Sequence, residues 1–455
     1  MRYWPTLFMV LVLAGLGLYL YAIELPEKES HERQDTVDKK VLLFDQDTLS
    51  GLTIKTDQHE LIFARTPEQG WVLTAPLSTE ADQREVQNLI RALVTGTVTR
   101  VVEDHPTNLT PFGLDNPVTT VSVVAGAARE TFSIGDSGPL SSTLYVLRES
   151  DRKVLLTNLA PKDFVNKTLM TFRRKDILNM SQGDIERIRL TYPTTEIVLY
   201  QGQEKPKSKW KIRYPVEAEA DQTEVRVLLF RLEDLKAQSI VDPGPERDAL
   251  AKTLTTPKVK VAIHTTDGDQ TVKLYQPYEA SGAAIAETSP EGPLYRVTST
   301  VIRDLTKELF TFQDKRLLGI DYTDITILSI KTPTEQYVLI NQQNEWVLED
   351  QPTEKLDQQA TDLFVSRVAN VPAEERVIKQ AGPLAPYGLV TPAAEFIATG
   401  RDGKIAGKLS IGSHADGLAY AMGQRISGIF QIRADLLTQI PAKNDLLAVK
   451  TEKTP

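Results

Sequence analysis

The sequence predicts an α+β protein. It reads as three tandem copies of an antiparallel-sheet-plus-helices module of roughly 137 residues, following one N-terminal transmembrane helix. Three observations predict this. First, three of the four tryptophans sit in one local phrase that recurs at steps of 139 residues (71 to 210) and 136 residues (210 to 346). Each step is the size of a whole domain, far above the roughly 20–50 residues of solenoid repeats. Second, each phrase passes from a two-residue to a helical hydrophobic spacing, so every copy mixes strands with helices. Third, positions 3–23 carry no charge.

The first phrase reads Trp71-Val72-Leu73, Pro76, Asp82, then Val86, Leu89, Ile90 and Leu93. The second reads Trp210-Lys211-Ile212, Pro215, Asp221, then Val225, Leu228, Leu229 and Leu232. The third reads Trp346-Val347-Leu348, Pro352, Asp357, then Thr361, Phe364, Val365 and Val368. Bulky residues two apart share one face of a strand. The proline ends that strand because it has no N–H for a ladder. Asp82, Asp221 and Asp357 are expected as N-caps, accepting the free N–H groups of a first helical turn. Glu85 and Glu224 are expected to complete capping boxes, whereas Ala360 leaves the third helix start weaker. The apolar residues at i, i+3, i+4 and i+7 give each helix one buried stripe, laid against the tryptophan face of the sheet.

Further strands are expected at Val98–Glu103, Thr119–Val124, Glu130–Ile134 and Leu144–Leu147. The turn Phe112-Gly113-Leu114-Asp115-Asn116-Pro117 recurs as Tyr387-Gly388-Leu389-Val390-Thr391-Pro392, with glycine suited to positive φ. The second copy keeps only Leu254-Thr255-Thr256-Pro257 of it. After Ile134-Gly135 and Ile411-Gly412 a loop is expected, then Tyr145, Tyr295 or Tyr420 in a short strand. Each copy is expected to close on an apolar helical segment and a basic tag: Lys175-Asp176-Ile177-Leu178, Lys315-Arg316-Leu317-Leu318, and Lys443-Asn444-Asp445-Leu446-Leu447. These elements place an anchor at 1–24, a stalk at 25–40, and modules at 41–178, 179–318 and 319–450.

The uncharged run between Arg2 and Glu24 covers 21 positions. At about 1.5 Å per residue a helix of that length spans roughly 30 Å, the thickness of a bilayer core. Tyr3, Trp4, Tyr19 and Tyr21 fall near its ends, where interfacial aromatics belong. No A-x-A site follows, which favours a retained signal anchor over a cleaved signal peptide. The absence of Cys excludes a lipoprotein anchor. A short N-terminus before a long polar remainder predicts a single-pass membrane protein with its N-terminus in the cytoplasm and its bulk outside it. The stretch from Leu25 to Lys40 is rich in charge and reads as a solvated stalk.

The formal net charge is −9, and no stripe of Lys and Arg interleaved with aromatics is found, so nucleic acid is not an expected partner. Gly135-Asp136-Ser137-Gly138-Pro139 resembles a serine-protease nucleophile segment, but a triad also needs a base and an orienting acid. His31 lies in the stalk, and His59 and His105 lack that family's flanks. The matching positions are Gly412-Ser413-His414-Ala415-Asp416-Gly417 in the third copy and Gln276-Pro277-Tyr278 in the second, so a glycine-rich loop after a strand accounts for the motif. The five His are scattered, and Asp45-x-Asp47 lacks the rest of a calcium loop. In Glu217-x-Glu219-x-Asp221 the last residue is a helix cap and the others read as a solvated approach to it. The reading therefore names no catalytic, cofactor-binding or metal-binding residue, expects no cofactor, and treats the three tryptophans as core.

The ordered set of W-x-L strand, Pro, capped A-D helix, Y/F-G-L-x-x-P turn, I-G strand end and K-x-L-L segment resembles a bacterial family, domain of unknown function 4340. The residues carrying it are Trp71, Pro76, Ala81-Asp82, Phe112-Gly113-Leu114, Pro117 and Ile134-Gly135, then Trp346, Pro352, Asp357, Tyr387-Gly388-Leu389, Pro392 and Ile411-Gly412. The second copy departs at the Gly-Leu turn and at Ile-Gly. The resemblance implies a membrane-anchored extracytoplasmic protein, here a single-pass protein of the bacterial inner membrane with its bulk periplasmic, often encoded beside ABC-transporter and gliding-type components. It transfers no catalytic residue. The expected function is a scaffold or accessory subunit of an envelope complex, with envelope proteins and the membrane (through residues 3–23) as partners. The alternative is a periplasmic module binding a glycan or lipid in clefts between copies.

Overall fold

Strands here are written by apolar–polar alternation, and their buried faces decide how they join. The computed structural model describes Met9 and residues 39–117, 119–202, 209–276, 283–379, 382–424 and 426–448. The anchor expected over 3–23 (Met9 apart) and the stalk up to residue 38 lie outside the described residues. Among the described residues no helix is long and apolar enough to cross a membrane.

The first sheet takes β1 Leu49–Lys55, β2 Glu60–Thr66, β3 Gly70–Ala75 and β4 Thr79–Glu80, then helix α1 Gln83–Thr95 and β5 Val98–Asp104. It continues with β6 Thr119–Ala125, β7 Ala128–Ser137, β8 Leu144–Arg148 and β9 Lys153–Thr157, and a four-residue helix α2, Leu169–Phe172. Its nine strands lie in the order β4-β3-β2-β1-β6-β7-β8-β9-β5. Two antiparallel meanders thus meet at β1 and β6, where Leu52 faces Val123 and Ile54 faces Val121. Between β4 and β5 the chain passes from one edge of the sheet to the other by way of α1. The buried stripe of that helix is Val86, Leu89, Ile90 and Leu93, as its spacing requires. Each such side chain contributes about 2 kcal/mol on burial.

The second sheet has β10 Ile185–Thr191, β11 Glu196–Gln201, β12 Trp210–Tyr214, β13 Ala218–Glu219, helix α3 Gln222–Glu233, β14 Ser239–Val241 and helix α4 Pro245–Thr253. It ends with β15 Val259–Thr265, β16 Gly268–Tyr275, β17 Ala283–Glu287, β18 Leu294–Thr298, and helices α5 Thr300–Leu305 and α6 Leu309–Phe312. The third has β19 Ile325–Lys331, β20 Gln336–Gln342, β21 Glu345–Leu348, helix α7 Gln358–Ala369, β22 Glu375–Ile378, β23 Ala394–Gly400, β24 Ile405–Ala415, β25 Leu418–Gly423, β26 Ile429–Arg433 and helix α8 Asp435–Thr438. Their orders are β13-β12-β11-β10-β15-β16-β17-β18-β14 and β21-β20-β19-β23-β24-β25-β26-β22. Both repeat the first order position for position, except that the third sheet lacks the two-residue edge strand. The α+β class expected from the sequence is what these three antiparallel sheets show.

The chain divides into two units, one of residues up to 177 with 236–240, the other of 178–235 with 241–455. In the first, Trp71, Phe63, Phe132 and Phe172 share a core with the α1 stripe, and Phe63 meets Phe172 edge-on at 5.4 Å. In the second, Trp346, Phe364, Phe396 and Phe430 share the core of the third sheet. Leu317 and Leu318 belong to that same core.

Three expectations change. The aspartates do cap: Asp82 accepts from the N–H groups of Arg84 and Glu85, Asp221 from those of Thr223 and Glu224, and Asp357 from that of Ala360 alone. The capping boxes with Glu85 and Glu224 do not form. The backbone N–H groups those glutamates would accept from instead donate to the carbonyls of Phe172 and Phe312, and Asp357 does likewise to Leu446. Next, the loops expected after Gly135 and Gly412 begin later, because β7 runs to Ser137 and β24 to Ala415. Finally, the first two basic tags are extended, whereas Lys443–Leu446 of the third is a 3-10 helix. The Leu317 N–H donates to Val371, and the Ala373 N–H to Lys315, so Lys315–Leu317 pairs with the segment that leads into β22. Lys39 and Lys40, expected in the stalk, do the same for the first sheet: the Val98 N–H donates to Lys39 and Lys40 pairs with Thr97.

Candidate functional site

A close group of charges in the second unit surrounds Arg316. Its Nε donates to both carboxylate oxygens of Asp314 at 3.0 Å, Nη2 to Asp314 at 2.6 Å, and Nη1 to Asp321 at 2.5 Å. Lys209 reaches the other oxygen of Asp321 at 3.1 Å. Lys211 stands 3.5 Å from Glu219, and Lys315 stands 4.0 Å from the cap Asp221. The hydrogen bonds that Arg316 donates to Asp314, and after them those to Asp321, raise its pKa above its ordinary value despite burial. Arg316 in turn holds the Asp321 carboxyl below the ordinary carboxylate value. A cleft of about 630 Å³ opens over this group, with Lys209, Asp321 and Asp324 in its walls. A neighbouring cavity of about 560 Å³ shares Lys211, Glu219, Asp314 and Arg316 with it.

Of the motifs weighed from the sequence, Glu217-x-Glu219-x-Asp221 reaches this cleft, through Glu219 and Asp221, and the glycine and histidine motifs do not line it. Gly135 lies against the Phe112-Gly113 turn, since a Cβ on it would stand 2.2 Å from the Phe112 carbonyl oxygen. Asp136 fills the space against Gly113, whose φ is +65°. Gly412 and Gly388 repeat this arrangement, with 2.0 Å to the Tyr387 oxygen and a φ of +67°. His59 is held by the Lys167 carbonyl at 3.0 Å, and no hydrogen bond among the described residues brings a histidine to Ser137. Asp416-Gly417 forms the left-handed tip of the β24–β25 hairpin, which explains the aspartate in Ser413-His414-Ala415-Asp416. Asp47 supplies its backbone carbonyl to Arg65. Of Glu217, Glu219 and Asp221, the first is exposed, the second faces Lys211 and the third caps α3. Among the described residues no three of His, Asp and Glu gather as metal ligands.

The second sheet replaces the glycine turn with different chemistry. Tyr275 stands at the strand end and packs with Val241, Ile285 and Leu294 against α4. Its hydroxyl donates to Glu287 at 3.0 Å, and Lys273 reaches the same oxygen at 3.0 Å. Arg247, from α4, donates to the Gly292 carbonyl at 3.1 Å and to Pro290, and lies 3.8 Å from Glu287. Burial, then Glu287, pushes the Tyr275 phenol up to about 12.

The family described as Domain of unknown function (DUF4340) matches residues 71–257 and again 210–392. The chain belongs to this family. No curated protein matches it. A Pseudomonas aeruginosa DNA polymerase sliding clamp with ligand aligns at 8% identity over 86% of this chain and 93% of the clamp, with a TM-score of 0.14. A DnaN sliding clamp from the same organism, bound to griselimycin, aligns at 10% identity over 85% and 94%, with a TM-score of 0.13. At such scores the likeness carries no argument.

Both DUF4340 matches begin at a tryptophan of the repeated phrase, and the structure shows what each tryptophan is tied to. The Trp71 N–H donates to Gln83 Oε1 at 2.9 Å, and Gln83 Nε2 donates back to the Trp71 carbonyl and to Ala81. Gln222 holds Trp210 at 2.9 Å in both directions, and Gln358 holds Trp346 at 2.8 and 2.9 Å. Sequence reasoning passed over these glutamines. The available signal was the fixed spacing of 12 from tryptophan to glutamine and the repeated Asp-Gln pair. The Arg316 group was missed for another reason: Glu219 and Asp221 were read as the approach to a helix and its cap, and Asp314 and Asp321 were not singled out.

Proposed function

We propose that this protein is a scaffold or accessory subunit of an envelope complex, anchored in the bacterial inner membrane through residues 3–23. In this reading three tandem copies of one module stand outside the cytoplasm, and the chain carries no catalytic step of its own. The observation that supports it is the segment between the second and third sheets. Asp314 donates its N–H to Glu219 in the second, while Lys315 and Leu317 pair with Ala373 and Val371 beside the third. Leu317 and Leu318 then sink into the third core. A connector whose residues are all engaged makes a stiff body, which suits a part that holds others at fixed spacing. The uncharged run at 3–23 supports the anchor. The family resemblance supports ABC-transporter-like components as partners.

Affinity purification of the full chain in a mild detergent tests the reading. Co-purified transporter-type membrane proteins are expected. Material that is purely monomeric and carries no partner counts against it. Proteolysis of intact spheroplasts tests the topology, with digestion of the modules expected and protection overturning it.

A further inference from the structure

The cavity of about 560 Å³ beside the Arg316 group has Arg376 in its wall. This position is unusual by comparison within the chain. The N–H groups of Val98, Ala237 and Ala373 donate to the carbonyls of Lys39, Lys175 and Lys315, and three residues further on stand Val101, Ile240 and Arg376. Two apolar residues and one cation therefore hold equivalent places. Arg376 Nη2 donates to Gln313 Oε1 at 2.7 Å, and the guanidinium lies 4.8 Å from the Phe310 ring and 5.3 Å from that of Phe430. Its Nε is buried without a hydrogen-bond partner, and no carboxylate among the described residues pairs with it. The two rings offset part of the lost hydration, but they do not neutralise the charge. Burial lowers the Arg376 pKa, the mark of a cation short of compensation.

Four basic and three acidic side chains line this cavity. Glu219 faces Lys211 and Asp314 is taken by Arg316, while Glu217 lies on the exposed side. Lys379, also in the wall, forms no ion pair with a described residue. Leu309, Val216 and Ile426 add apolar side chains to the same lining. The volume falls within the range of small-molecule sites. We propose that this cavity binds an amphipathic anion, its single carboxylate or phosphate head held by Arg376 and Lys379 and its apolar body laid on Leu309, Val216 and Ile426. The inference goes beyond the scaffold reading and does not depend on it.

Calorimetric titration of the full chain in neutral maltoside detergent tests this, with decyl phosphate, inorganic phosphate and decyl maltoside as probes. Decyl phosphate is expected to bind at least tenfold more tightly than either of the other two. Arg376→Gln is expected to weaken it at least tenfold, Arg376→Lys less, and Lys379→Gln severalfold. Lys379 is exposed, so its variant keeps the fold and remains decisive even if Arg376→Gln destabilises the protein. Absence of decyl phosphate binding, equal binding of the neutral probe or of inorganic phosphate, or undiminished binding by Lys379→Gln overturns the proposal. Native mass spectrometry separates the sources: a co-purified phospholipid displaced by decyl phosphate marks a lipid head group, and lipid-free protein that binds it marks a free amphiphile.

Discussion

Gln358 holds both backbone polar groups of Trp346, accepting its N–H at 2.8 Å and donating to its carbonyl at 2.9 Å. The tryptophan is fully buried, and it lies in an edge strand whose outer side has no ladder partner at that residue. A helix side chain thus does the work of a neighbouring strand. Because Gln358 is the first residue of α7, the same contact fixes where the helix begins relative to the sheet.

Replacing Gln358 with Leu leaves two backbone groups unpaired at a buried tryptophan. The expected loss is about 2 kcal/mol, from penalties of about 1–3 kcal/mol per unsatisfied buried group and partial recovery by water. Gln358→Glu keeps an acceptor but loses the donor, so a similar loss is expected at neutral pH. Urea unfolding together with amide exchange of Trp346 checks both, and an unchanged midpoint with protected exchange would refute the clamp.

Gly412 packs under the Tyr387 carbonyl, where a Cβ would come within 2.0 Å of backbone oxygen. Backbone cannot rotate aside, so Gly412→Ala should cost at least the 1–3 kcal/mol usual for overpacking. Gly135→Ala should behave alike, with 2.2 Å to the Phe112 oxygen. Gly183→Ala is the control, because nothing lies within 4 Å of its Cβ and its φ is not positive. Thermal unfolding of the three variants decides it; equal midpoints would rule out the close approach.

These glycines also mark how far the sequence was readable. The turn at Gly113 and the strand end at Gly135 were each recognised, but their mutual contact was not, so the chain after Gly135 was read as loop. Likewise the aspartate caps were legible from local spacing, whereas the carbonyls of Phe172, Phe312 and Leu446 that displace the capping boxes come from about 90 residues downstream. Periodicity reports what one segment buries. It does not report which distant segment arrives: Gln313, Phe310 and Phe430 around Arg376, and Lys209 on Asp321, are such arrivals, whereas Asp314 and Asp321 stand within five residues of Arg316.

Asp321 sits below its ordinary pKa chiefly because Arg316 bonds to it, with Lys209 adding to the effect. A carboxylate with a depressed folded-state pKa stabilises the fold above the unfolded value of about 4, and that contribution fades as pH falls through the folded value. Loss of stability is therefore expected below about pH 4. Asp321→Asn should flatten that acid limb while lowering stability at pH 7 by at most about 1 kcal/mol, since the pair is partly exposed. Urea midpoints measured from pH 7 down to pH 3 would show it. A limb as steep in the variant as in the parent would remove Asp321 from the account.

Tyr275 gives the opposite sign. Burial, then the carboxylate of Glu287, raises its phenol to about 12, against about 10 for an unfolded tyrosine. Its neutral form is thus favoured by folding, and the stability this supplies is complete below about pH 10 and lost as pH climbs through 12. Glu287→Gln removes the charge while retaining a hydrogen-bonding side chain, so the phenol should move down towards its ordinary value. Two further buried tyrosines also titrate late: Tyr192 is pushed up to about 12 and Tyr337 is raised as well, both mainly by burial. Ultraviolet titration should therefore show a late class of phenols that loses one member in Tyr275→Phe. In Glu287→Gln the same phenol should titrate earlier than in the parent. If Tyr275→Phe leaves the late class at full amplitude, the phenol is exposed to solvent, and the buried Arg247–Glu287–Tyr275 arrangement that sets the second sheet apart does not exist in solution.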